Sequence, residues 1–207
     1  MKKLIKGLHK FQKEVFPIQK NFFQGLAKGQ NPEILFITCS DSRINPHLVT
    51  SADPGELFIL RNAGNIIPPY SNLPTGEAAT IEFAVGQLKV KDIIICGHSY
   101  CGAVEATFNL DKMVQQPILR DWLENNISPT LRLVNQNYKD LDRESLSDIL
   151  LQEHVLQQLE NLKTYPIINE AIAENKLVLH AWIYKFEDGD IYAYNSQEGQ
   201  FENIKHY

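Results

Sequence analysis

The sequence has 207 residues, 43% of them apolar, and a formal net charge of −5. That length supports one domain with a full core, burying roughly 70% of the unfolded chain's surface. The acidic balance argues against a nucleic-acid partner, which needs a basic face for phosphates. No apolar run approaches the roughly 18 residues of a membrane span. Cys39, Cys96 and Cys101 are too few, and odd in number, for a disulfide framework, so free thiols in a reducing, cytoplasmic setting are expected.

The basic start, Met1 to Lys6, is like that of a signal peptide, but Gly7, His9, Lys10 and Gln12 interrupt any apolar stretch, and export is not expected. Residues 1–28 read as a helical arm, with Leu4, Leu8, Phe11 and Val15 forming an amphipathic stripe. Such a stripe serves packing on its own domain as well as it serves an arm that reaches a second subunit. Residues 29–207 then read as one α/β domain. Continuous apolar runs at 33–39, 56–60 and 92–96 predict strands buried on both faces of a parallel sheet. Residues 75–88 and the segment after Gly102 predict helices, and Ser145 with Asp148 suggests a capping box for a long helix carrying Leu151, Val155, Leu159 and Leu162. A long strand over 176–186, a turn at Asp188-Gly189 and a strand over 191–194 complete the pattern. Strands alternating with helices predict a three-layer α/β fold, with a mainly parallel sheet flanked by helices.

In such sheets ligands bind at the carboxyl ends of strands, which is where Cys39 and the His98/Cys101 pair fall. Together they form a Cys2His set whose three ligands leave one tetrahedral position open, as catalytic zinc sites do. H-x-x-C is a weak signal alone, since a buried cysteine is usually a small hydrophobe, and Cys96, inside an apolar strand, is read in that way. Cys39-Ser40-Asp41-Ser42-Arg43 is more specific. Asp41 and Arg43 could be a capping residue and a solvated cation, or a dyad in which Arg43 holds Asp41 by forked hydrogen bonds. In the second reading Asp41 receives a proton from the nucleophile and aims it.

Cys39 to Arg43, then Pro54-Gly55-Glu56-Leu57-Phe58, Arg61-Asn62-Ala63-Gly64-Asn65 and Gly97-His98-Ser99-Tyr100-Cys101-Gly102, resemble the signature blocks of β-class carbonic anhydrases, in order and approximate spacing. The match extends to the block from His180 to Tyr184 and looks closest to the plant-type and cyanobacterial branch, including carboxysomal forms. The resemblance implies reversible hydration of carbon dioxide to bicarbonate, one zinc per chain on Cys39, His98 and Cys101, and Asp41 and Arg43 as the catalytic dyad. It further implies a substrate pocket of Gln30, Phe58, Ala63, Phe83 and Gly102, at a subunit interface to which a neighbouring chain lends Gln30 and Phe83. That in turn implies a homodimer or higher even oligomer clasped by the N-terminal arm. Ala181 stands where Gly is common, and the sequence ends at Tyr207 without the tail of some cyanobacterial members, which bears on any recruitment by carboxysome components. His47 and His154 are the histidines available as a proton shuttle, although surface or core roles are commoner for such residues. Carbon disulfide hydrolysis on the same fold is the sister alternative. A non-catalytic scaffold or redox protein, with Cys39 and Cys101 as a disulfide pair, is the alternative from another class.

Overall fold

The computed structural model describes residues 1–206. They form two compact units, residues 1–31 and the described residues from 32 onward. The first is helical: α1 (Lys2–Lys10) runs on through a wide turn at Phe11–Val15, and α2 (Lys20–Leu26) follows Pro17, which interrupts the run. Phe11, Phe16 and Phe23 pack on one another with ring centroids 5.5–6.2 Å apart. The stripe residues Leu4 and Leu8 are exposed, and α1 buries none of its residues.

The second unit holds β1 (Ile34–Cys39), α3 (Pro46–Thr50), β2 (Leu57–Asn62) and α4 (Gly76–Glu82), which continues as a wide turn over Phe83–Leu88. Next come β3 (Asp92–His98), α5 (Gly102–Thr107), α6 (Pro117–Asn126), α7 (Ser128–Asn137), α8 (Arg143–Leu162) and α9 (Pro166–Ala173). The chain ends on β4 (Val178–Tyr184), β5 (Ile191–Asn195) and β6 (Gln200–Asn203). The strands make one sheet in the order β2-β1-β3-β4-β5-β6, parallel through β4 and antiparallel beyond it. This is a three-layer α/β fold with a mostly parallel sheet flanked by helices. β1 and β3 lie inside the sheet and are buried nearly end to end, as their unbroken apolar runs predict, whereas edge strand β2 is half-buried. Alternation along the strands separates two cores. Leu35, Ile37, Ile93 and Ile95 join the large one, which includes Leu151, Val155 and Leu162 of α8. Phe36, Ile44, Ile94 and Cys96 form a smaller one on the other face.

Two details differ from expectation. The N-cap of α8 is Asp142, whose Oδ1 accepts from Ser145 N at 2.8 Å. Asp148 instead pairs with Lys185 at 3.1 Å, so Ser145 and Asp148 are not a capping box. Helices α6, α7 and α9 and strand β6 go beyond the predicted elements, although each of those helices opens with proline in its first turn, where the missing N–H is no loss. No helix of the described residues is long and apolar enough to cross a membrane.

Candidate metal centre

Strands β1 and β3 are neighbours whose chain continues in opposite directions across the sheet, so their carboxyl ends open a cleft. Cys39 closes β1 and His98 closes β3, while Cys101 follows a tight turn and caps the start of α5. The turn passes through Tyr100 at φ 54°, a left-handed conformation that costs a non-glycine residue roughly 1–2 kcal/mol. All three residues are buried, and one donor atom from each lies within 4.8 Å of the other two.

The protonation of His98 and Cys39 suits metal binding. His98 Nδ1 lies 2.9 Å from the Ser99 carbonyl, which can only accept, so Nδ1 carries the proton and Nε2 presents a bare lone pair. That Nε2 is buried without a hydrogen-bond partner. An orphaned acceptor next to two sulfurs fits a cation, since burying it otherwise only loses hydration. The Sγ atoms of Cys39 and Cys101 are 4.0 Å apart. The Cys101 S–H points at Cys39, whose sulfur also accepts from Gly64 N–H at 3.4 Å, and these donors pull its pKa down to about 4. The resulting thiolate, together with burial, pushes the Cys101 thiol up. Cys96, fully buried on the opposite face, is raised to about 12 by desolvation and behaves as a core residue.

Asp41 and Arg43 form the forked pair. Asp41 Oδ1 accepts from Arg43 N and Nε at 2.9 and 3.0 Å, and Oδ2 accepts from Nη2 at 2.7 Å. The guanidinium holds the Asp41 carboxyl well below the usual carboxylate range. Oδ2 also lies 3.9 Å from His98 Nε2, so the carboxylate faces the space in front of the three donors. Arg43 is fixed in turn, donating to the Tyr100 carbonyl at 2.9 Å and lying 4.7 Å from the centroid of the Phe186 ring. Arg61, unassigned by spacing, donates to the carbonyls of Cys39, Asp41 and Ile44 at 2.8–3.1 Å and so staples the dyad loop to β2.

The expected pocket residues are dispersed within one chain. Ala63 follows the Cys39–Asn62 register pair directly, and Gly102 faces open space at the head of α5. Phe58 pairs with Leu35, four positions earlier, about 13 Å along the strand. Its ring packs tilted against that of Phe83, centroids 5.7 Å apart, and Phe83 is 43% exposed. Gln30 is exposed in the 1–31 unit. His154 is fully buried and its ring is held at both nitrogens, which removes it as a proton shuttle.

The carbonic anhydrase family profile matches residues 34–191. The carbonic anhydrase of Synechococcus elongatus is 45% identical over 192 residues, covering 92% of this chain and 70% of that protein. The solved structure of the β-carbonic anhydrase CcaA superposes with a TM-score of 0.94 at 43% identity, covering 98% of both chains. One of two tetrameric β-carbonic anhydrases from Sordaria macrospora superposes with a TM-score of 0.79 at 32% identity, over 92% of this chain and 94% of that one. Donor set, dyad and sheet thus agree with sequence similarity that spans nearly the whole chain, and the protein belongs to the β-carbonic anhydrase family.

Proposed function

We propose that this protein interconverts carbon dioxide and bicarbonate using one zinc ion held by Cys39, His98 and Cys101. The observation that carries this reading is the bare, buried Nε2 of His98, grouped with two sulfurs and faced by Asp41 Oδ2. The 4.0 Å between the sulfurs is close to the edge, about 3.8 Å, of a tetrahedron with zinc–sulfur arms of about 2.3 Å. Zinc bound there supplies a Lewis acid with an open fourth position, which brings the acidity of a water toward neutral pH.

The chain's own groups do the rest. Asp41, ionised and bonded to Arg43, has only acceptor oxygens to offer. It therefore accepts the O–H of the nucleophile and turns a lone pair toward carbon dioxide. Arg43 keeps Asp41 on its own side of the cleft. Ala63 and Gly102 line the site from the same chain, while Phe58, Phe83 and Gln30 reach the site of a second copy, with Gln30 donating to substrate oxygen. The 13 Å offset of Phe58, the exposure of Phe83 and the uncovered stripe of α1 support this sharing, as does the tetrameric state of the Sordaria enzymes. Residues 1–28 act in this scheme as the dimerising arm and 29–207 as the catalytic domain. A cytoplasmic setting, or the interior of a carboxysome with its components as neighbours, follows from the branch that the sequence resembles.

Stopped-flow hydration of carbon dioxide, with elemental analysis of the same sample, tests the reading. One zinc per chain and a turnover far above the uncatalysed rate are expected. Zinc without hydration, or hydrolysis of carbon disulfide in its place, would overturn the substrate assignment, and absence of metal would overturn the site.

A further inference from the structure

The loop between β2 and Pro68 supplies no metal donor, yet it reaches the metal centre through one bond, Gly64 N–H to Cys39 Sγ at 3.4 Å. Gly64 has φ +85°, and a Cβ there would come within 3.0 Å of the Ala103 Cβ on α5. The loop is thus seated directly against the helix that follows Cys101. Two side chains, from two different helices, hold it on either side of the Gly64 N–H. The Trp122 indole of α6 donates from Nε1 to the Ala63 carbonyl at 3.0 Å. That carbonyl belongs to the same peptide unit as Gly64 N–H, so a donor at one end polarises and aims the donor at the other. On the far side His154 of α8 approaches the Gly64 carbonyl at 2.7 Å through Nε2. A carbonyl accepts, so Nε2 carries the proton, and Nδ1 is free to accept from Gln158 Nε2 at 3.2 Å. Gln158 Oε1 accepts from Ile67 N at 2.8 Å, and Asn161 Nδ2 donates to the Ile67 carbonyl at 2.7 Å. Three polar side chains on one face of α8 are therefore spent on loop backbone inside the core. An apolar face would serve packing alone equally well, and buried polar groups need such complete pairing to be tolerated.

We infer that Trp122 and His154 are positioning residues that clamp Gly64 through the two peptide units flanking it, Ala63–Gly64 and Gly64–Asn65, presenting the Gly64 N–H to the Cys39 sulfur and so setting how firmly that sulfur holds the metal. Neither residue touches the donors. Groups of this kind, one step behind a ligand, change metal affinity by about 10- to 100-fold. The inference rests on the zinc reading above, and the test separates the two.

Three variants decide it: Trp122→Phe, which keeps the ring and removes the donor, His154→Leu, which removes the ring's donor, and His154→Gln, which restores an N–H at similar reach. Zinc release to a chelator is followed in each, together with the sulfur-to-metal charge-transfer band of the cobalt-substituted protein. Release about tenfold faster or more, with a shifted band, is expected for Trp122→Phe and His154→Leu, and recovery toward wild type for His154→Gln. Should His154→Leu not fold, Trp122→Phe still decides, together with hydrogen exchange at the Gly64 amide of metal-free wild type, which the clamp should keep slow. Wild-type release rates and band position in Trp122→Phe, or a freely exchanging Gly64 amide, would overturn the clamp while leaving the zinc site standing. A wild-type protein that takes up no zinc would instead overturn the site itself.

Discussion

His98, Cys39 and Asp41 each owe their state to immediate neighbours: a carbonyl that fixes the imidazole tautomer, sulfur and amide donors that ionise a thiol, and a guanidinium that keeps a carboxylate charged. Substitutions at these positions should therefore separate metal binding from chemistry. Cys39→Ser and Cys101→Ser are expected to lose zinc. Cys96→Ser should retain it, because that thiol lies in the core of the opposite sheet face. Asp41→Asn keeps the shape but not the charge, so full zinc with turnover reduced about 100-fold or more is expected, the scale of losing one well-placed polar group. Elemental analysis and stopped-flow assays of the four variants check this. Loss of zinc from Cys96→Ser, or full activity in Asp41→Asn, would contradict it.

Among the elements, α8 packs on β3, which ends at His98, and on the loop that bonds the Cys39 sulfur. It lies so close to β3 that a Cβ on Gly97 would meet Val155 Cγ2 at 2.6 Å and Leu151 Cδ1 at 3.0 Å. Gly97→Ala is expected to push the helix off the strand just before His98, costing roughly 1–3 kcal/mol, the usual range for overpacking a core. Thermal melts of metal-free protein should show the loss, and an unchanged midpoint would mean that α8 can shift freely. How much of this was legible follows from where the information lies. β1, β2 and β3 are written in unbroken apolar runs, and the dyad within five consecutive residues, so both can be read locally. The helices α6, α7 and α9 are only 8–10 residues long and open with a proline near the first turn rather than a side-chain cap. Trp122, His154 and Gln158 bond mainly to backbone carbonyls and amides, which every residue possesses, so no spacing announces those bonds, and Arg61 is marked only by the signature block it opens. Phe58 is a pocket residue only by family resemblance, and its distance from Cys39 is visible only in the strand register, where it pairs with Leu35.

For the folded 32–207 unit as a whole, one buried histidine sets an acid limit. His154 is fully buried and neutral, its pKa lowered by desolvation from 6.5 to about 4. Between those values the unfolded chain binds a proton that the folded chain refuses, so stability rises with pH across that window. It is fully present above about 6.5 and falls away toward 4. At about 1.4 kcal/mol per pH unit the whole effect is roughly 3 kcal/mol. Urea titrations of metal-free wild type and His154→Gln between pH 4 and 7 test the sign, since the variant should lose much of the slope.

Cys39 and Cys101 are 62 residues apart and belong to different sides of the cleft between β1 and β3. A ribosome making this chain releases the first sulfur long before the imidazole and the second sulfur, so a nascent chain offers a metal one donor and nothing to close around. The set exists only once β1 and β3 have paired. A metal held by these three residues would therefore enter a cleft already folded, so chelation is expected to cost activity before it costs the fold.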